Sequence, residues 1–408
     1  MMSVEPEEVY VLGGLRTHLG LTHGCFDKIR PEELGAALFR AIFKMWPQAK
    51  KADEVIGGNA VGPGGNLMRL TALTAGLDPS IPALTVDMQC ASAAEAISLG
   101  WAKIRSGMAD LLICGGIEST SLQPLRIYQP QDPFYRKEGY KVARFSPDTD
   151  SPRAMLEGAE RTAQWYGVPR EELDAWAVRS HRLASGSKAL LAPYVVSLFG
   201  SNRDEGIRPR MSPALAGRMP ALFTEEEVLH LINPLRAAAG EAPLGHAVPS
   251  LTAATSCLTH DGAAFLLLVS GRRLLAWQRA GHPAVPWARI AEVTDAAGDP
   301  RFSPLGALRV GDVLLRRSGL RCCDLDAIEY NEAFAVIDAL FLRDHPECRD
   351  AYLPLGGALA YGHPYGASGA VLVLHAVAAL KARKGRYGLC AIAGAGGTGS
   401  GLLLENIE

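Results

Sequence analysis

The stretch LTVDMQCASAAEAISLGWAKIRSGMADLLICGG, residues 84–116, passes from an apolar strand into a cysteine, through a run of small residues with helical character, and out along a second apolar strand that ends in glycines. Strand, small-residue helix and strand in that order predict an α/β unit whose helix is buried, because Ala, Gly and Ser let a neighbouring backbone approach closely. Cys90 falls at the first turn of that helix. Free amides and the helix macrodipole there favour a thiolate, so the position suits a nucleophile, although a packed cysteine before a helix is the commoner arrangement.

The same rhythm extends in both directions. EEVYVLGGLRT reads as a first strand and turn, RPEELGAALFRAIFKMW as a helix with Pro31 at its start, and ADEVIGGNAV as another strand. Residues 121–248 are richer in Pro, Arg and aromatic side chains and read as an excursion of helices and loops, with HDGAAFLLLVS at 260–270 as the returning strand. From about 272 the strand and helix pattern resumes through WARIAEVTDAA, AIEYNEAFAVIDAL and the C-terminal segment. Cys90 lies 24 residues before Cys114, and Gly366 lies 24 before Cys390; each interval holds a small-residue helix and then a strand. The pattern predicts two similar halves with their central helices back to back.

Composition narrows the function classes. The chain has 408 residues, 48% hydrophobic, enough for a large core in several layers. With 41 basic and 43 acidic side chains it gives no reason to expect a nucleic acid or an anionic membrane as partner. The absence of a secretory pattern and of a long uninterrupted apolar run leads to the expectation of a soluble, cytoplasmic protein. Eight cysteines without CxxC spacing predict neither a disulfide framework nor a metal site.

Three further features could carry chemistry. His363, in GGALAYGHPYGASGA at 356–370, lies in a glycine-rich loop before a helix, where its ring can project into a cavity. The tripeptide alone is weak, since GHP recurs at 281–283 without such surroundings. Asn331 and Glu332 open an apolar helix, where capping is a sufficient structural role; Asn331 could also hold a water that donates to an oxyanion. The glycine cluster AGAGGTGSG, 393–401, could turn backbone amides of Ala395 and Gly396 toward a ligand.

In order and spacing these features resemble the thiolase family. The matching stretches are RTHLG at 16–20, CASAAEA at 90–96, CGGIESTS at 114–121, GAERTAQWYGVPREELDAWAVRSH at 158–181, DEGIRP at 204–209, DGAA at 261–264, NEAFA at 331–335 and GHPYGASGA at 362–370, together with the glycine cluster. The resemblance implies an α/β thiolase fold of two βαβαβαββ halves in five layers. Residues 1–120 with 249–271 would form the N-terminal half, 121–248 a loop domain holding coenzyme A, and 272–408 the C-terminal half. It implies acyl transfer through a thioester on Cys90, with His363 activating the thiol and Asn331 supporting the oxyanion. Coenzyme A would lie near Cys257 and Arg208, as a thioester substrate and not as a tightly bound cofactor. A homodimer or homotetramer is implied, with room for a small partner subunit.

The pattern departs from the family in places. A second reactive cysteine is expected in C-x-G-G-G-x-G, and that position is Ala393; Ala395 replaces the first glycine of the triplet. Cys390, three residues earlier on the same expected strand, should face the other way. Asp87, Ala93 and Cys257 also stand where the family has other residues. Cys90 and His363 suffice for acylation, but making a carbanion needs a further base. The choices left open are an unusual base, a decarboxylating donor, acyl transfer to oxygen, nitrogen or sulfur, and a non-catalytic subunit that binds coenzyme A.

Overall fold

The computed structural model describes residues 4–147 and 151–407, so the extreme termini and residues 148–150 of the excursion lie outside the described residues. The strands are β1 (Val9–Thr17), β2 (Gly20–Leu21), β3 (Glu54–Gly58), β4 (Ala83–Val86), β5 (Leu111–Glu118), β6 (Val195–Val196), β7 (His260–Ser270), β8 (Ala288–Ala297), β9 (Ala327–Tyr330), β10 (Tyr387–Gly394) and β11 (Thr398–Asn406). Nine of them run side by side in the order β4-β3-β5-β7-β1-β8-β11-β10-β9, and the two short ones extend interior strands, β2 pairing with β7 and β6 with β1.

While β4 has as its counterpart among the described residues only the isolated bridge between Ile328 and Tyr352 beside β9, four strands of each half repeat the same pattern. In the first, β3 and β5 are parallel while β5–β7 and β7–β1 are antiparallel; in the second, β9 and β10 are parallel while β10–β11 and β11–β8 are antiparallel. The halves join where β1 meets β8 antiparallel, Val9 opposite Ile290. The first strand runs straight through Gly13 and Gly14, paired with Leu267 and Leu266, instead of turning there, and its one register shift falls at Leu12.

Strand alternation sorts the apolar side chains into layers. Leu112, Cys114, Leu266, Ile392 and Leu402 point inward onto a core shared with the helices Ser92–Arg105 and Ser368–Arg383. Leu111, Ile113 and Phe265 face outward onto the helix Pro31–Met45, and Leu389, Ala391 and Leu403 face the opposite outer layer with the helix Gly306–Ser318. The result is helix, sheet, central helices, sheet, helix. Close approach in the middle layer explains the small residues: a Cβ on Gly369 would stand 2.3 Å from the amide nitrogen of Ala94, and one on Gly116 would stand 1.8 Å from the carbonyl oxygen of Gly366. The C-terminal central helix with its preceding turn, Tyr365–Arg383, is long and apolar enough to cross a bilayer, yet 83% of its most apolar window is buried inside the protein.

Residues of the excursion form the helices Ala154–Trp165 and Arg170–Gly186, joined by a short turn, and Glu225–Ala238, reached through a long connection. The first two lie against the second half, where Ala159, Leu173 and Trp176 join the core of Leu314, Tyr330 and Phe341, and the third packs on the first, with Val228 in a small separate cluster with Phe223 and Ala247.

Candidate active site

A cavity of about 420 Å³ opens where loops of both halves and the excursion meet. Its wall includes Cys90, Cys257, His363, Tyr365, Ala393 and Ala395. Cys90 sits in the turn between β4 and the first central helix, two residues before the helix begins at Ser92. The preceding residue, Gln89, has φ +53°, a left-handed conformation that costs a non-glycine residue roughly 1 kcal/mol or more. That bend turns the chain sharply from strand to helix at the cysteine.

The thiol is half-buried and carries its proton at rest. Burial is the main cause, and the nearby charges of Glu118 and then Asp87 add to it, so its pKa is pushed up to about 12. This corrects the expectation of a thiolate stabilised by the helix start: loss of solvent outweighs the helix amides.

His363 lies on the loop between the short helix Ala358–Tyr361 and the second central helix, with only 1% of its surface exposed. Its amide donates to the carbonyl of Leu258 at 3.1 Å, and it bridges Thr259 as a parallel pair. On the ring, Nδ1 lies 2.6 Å from Oγ of Ser368, which itself donates to the carbonyl of Pro364 at 3.1 Å. A hydroxyl already donating accepts the Nδ1 proton, so Nε2 is left as the proton acceptor. Nδ2 of Asn331 stands 3.4 Å from Nε2. Burial, with a smaller effect from His260, pushes the imidazole down to about 3, so it rests neutral.

Asn331 does not cap a helix: the following helix starts at Ala335, and Phe334 occupies the cap position. Glu332 is likewise not a dipole partner; its carboxylate accepts from Oγ of Ser180 at 2.5 Å and from the amide of Leu359 at 3.1 Å. These bonds fasten the Asn331 loop to the excursion and to the chain leading into His363.

The remaining expected positions divide. Cys257 and Ala395 are on the cavity wall. Gly396 is in the β10–β11 turn with φ +92°, close to the carbonyl of Phe145, and is not among the wall residues. Arg208 is not brought to the cavity; its guanidinium donates to the carbonyls of Glu205, Gly206 and Ile207, closing its own turn. Cys390 packs with Ile392 and Leu402 in the central layer, whereas Ala393 packs with Leu389 and Ala391 on the other face.

Two contributors were not singled out from sequence. Ser368 fixes the imidazole, and its signal was a hydroxyl five residues beyond His363 in the same motif. Glu118 is fully buried and accepts from Nδ2 of Asn59 at 2.8 Å and from the amides of Ala60 and Gly366, each at 3.0 Å. It therefore ties the first half to the His363 loop; burial pushes its pKa up to about 7 against the pull of those donors.

The family descriptions "Thiolase, N-terminal domain" and "Thiolase, C-terminal domain" match residues 9–192 and 284–406. The chain belongs to the thiolase family. Among similar thiolase relatives is the Staphylococcus haemolyticus protein named "Putative acetyl-CoA C-acetyltransferase VraB", 30% identical across 98% of this chain and 99% of its own. A Staphylococcus epidermidis protein of the same name is 32% identical over 89% and 90% of the two chains. The thiolase fold is shared with the crystal structure of the Bacillus anthracis acetyl-CoA acetyltransferase, at TM-score 0.84 and 23% identity, covering 99% of this chain and 100% of that one.

Proposed function

We propose that this thiolase takes an acyl group from an acyl-CoA thioester onto Cys90 and passes it to an acceptor. The observation that carries the reading is the single cavity walled by Cys90 and by an imidazole whose Nδ1 is engaged by Ser368. Both groups rest neutral, so proton transfer to Nε2 accompanies attack of sulfur on the thioester carbonyl instead of preceding it. Ala395 stands in the cavity wall, and its backbone amide would receive the developing oxyanion in this reading, which an alanine amide can do as well as a glycine amide.

The cavity suits a pantetheine thioester. Apolar Val61, Met155, Phe334 and Ile337 line it, and Lys141 supplies positive charge for phosphates, whereas Arg126 donates to the carbonyl of Gly62 at 3.1 Å and Arg153 pairs with Glu227 at 3.0 Å. Coenzyme A enters this account as substrate, with no tightly bound cofactor. The names of the relatives support a carbon acceptor, and Ala393 in the cavity wall favours a second reading, transfer without α-proton abstraction. Assembly as a homo-oligomer is part of the proposal, supported by β4 standing at the end of the sheet with one edge unpaired and Leu84 exposed.

Intact-mass measurement after incubation with acetyl-CoA and longer acyl-CoA thioesters tests the reading. One acyl adduct on the wild type and none on Cys90→Ala is expected. No adduct with any thioester would overturn it.

A further inference from the structure

The cavity contains a second thiol. Cys257 shares its wall with Cys90, His363 and Ala393, and is half-buried. Its place is fixed from both sides: its amide donates to the carbonyl of Ala333 at 2.9 Å, Ser256 bridges Phe334, and Thr259 bridges His363. The segment is thus wedged between the loop that carries Asn331 and the loop that carries the imidazole. The other six cysteines are not among the wall residues, Cys390 included.

Forming or breaking a carbon–carbon bond next to a thioester carbonyl passes through a carbanion at the α-carbon. A group on the substrate side must give or take that proton. The imidazole holds the proton from Cys90, and alanine at 393 has none to offer. Among the other proton carriers of the wall, Arg126, Lys141 and Arg153 are cationic, and Tyr365 lies edge-on to His363 with centroids 5.0 Å apart.

We propose that Cys257 is the second proton-transferring residue of this thiolase, acting in place of residue 393; this rests on the acyl-Cys90 reading. In thiolysis of a 3-ketoacyl thioester, Cys90 sulfur bonds to the keto carbon while its proton goes to Nε2 of His363. The bond between that carbon and the α-carbon breaks, and its electron pair leaves with the acetyl thioester. The Cys257 S–H proton moves to the α-carbon, giving acetyl-CoA and a Cys257 thiolate. Incoming coenzyme A gives its thiol proton to Cys257, and its sulfur takes the acyl group. Cys90 leaves as thiolate and recovers its proton from His363. Condensation runs these steps backwards, with Cys257 accepting the α-proton.

The surroundings agree with this role. Burial raises the Cys257 thiol pKa, so the residue rests protonated. Tyr365 lines the same cavity as the two thiols, its ring set against the His363 imidazole.

The test compares Cys90 acylation, read by intact mass, with exchange of acetyl-CoA α-protons for deuterium in D2O, read by NMR. Wild type should show both. Cys257→Ala should still be acylated on Cys90, which also reports a folded site, while exchange and thiolysis fall about 10²–10⁴-fold. Exchange at the wild-type rate in Cys257→Ala would overturn the proposal, as would loss of exchange in Tyr365→Phe alone, or an acylated wild type that exchanges no α-protons. Absence of any Cys90 adduct in the wild type would overturn this proposal and the acyl-enzyme reading together.

Discussion

Cys90 and His363 reach the same cavity from opposite halves of the chain, and each rests in its neutral form. The thiol pKa is raised from the usual ~8.5 toward about 12, so its thiolate fraction near pH 7 falls below that of a free cysteine and grows only as pH rises through the alkaline range. Alkylation by iodoacetamide should therefore be slower than for a free thiol at pH 7 and still be rising at pH 9; a plateau below pH 7 would reveal a resting thiolate. Ser368→Ala removes the partner of Nδ1 and frees the ring to turn or change tautomer. Acylation should slow by roughly 10-fold or more, less than the ~10²–10⁴-fold expected of His363→Ala, which removes the base itself. The reacting side chains were legible because a strand passing into a small-residue helix marks Cys90 and a loop rich in glycine with a proline marks His363. Their protonation was not, because a helix start is a local feature whereas the burial of Cys90 and its approach to Glu118 depend on segments far apart in sequence.

Between elements, the buried carboxylate of Glu118 joins β5 to the loop after β3 and to the His363 loop. Glu118→Ala leaves the amides of Ala60 and Gly366 without their acceptor and Asn59 Nδ2 with only the carbonyl of Ile117, at a cost of about 2–4 kcal/mol. Urea unfolding should record that loss, with slower Cys90 acylation under conditions where the variant remains folded. A variant with unchanged stability would show that these bonds are replaceable. Gly116→Ala presses a methyl group onto the Gly366 carbonyl, and about 1–3 kcal/mol of destabilisation is expected by the same measurement. Elements such as β7 were legible almost to the residue, since eleven consecutive buried positions leave little choice of boundary. The side-chain ties between elements were less so: Glu118 looks like any acidic residue after a strand, and Arg208, cationic and apt for phosphate, is taken up by three carbonyls of its own turn.

At the scale of the molecule, duplication places two central helices in one buried layer and brings loops of both halves to one cavity. The small-residue helices and apolar strands made this architecture legible, because a helix flanked on all sides must be lined by residues that permit close approach. The sequence pattern did not reveal which residues of the excursion reach the cavity, since Phe145, Arg153 and Leu156 come there through long loops and a helix without a repeating pattern. The open edge of β4 predicts a dimer by light scattering at micromolar concentration, and Leu84→Lys, which sets like charges at that edge, should weaken it. A wild type that is monomeric at all concentrations would remove this edge as an interface.

During turnover the acyl group is proposed to reside on Cys90, and acid quenching of the enzyme with isotopically labelled acetyl-CoA, followed by peptide mapping, reads where it sits. The label is predicted on the peptide containing Cys90 and should be discharged by added coenzyme A; label confined to another residue, or none retained while turnover proceeds, would contradict the account.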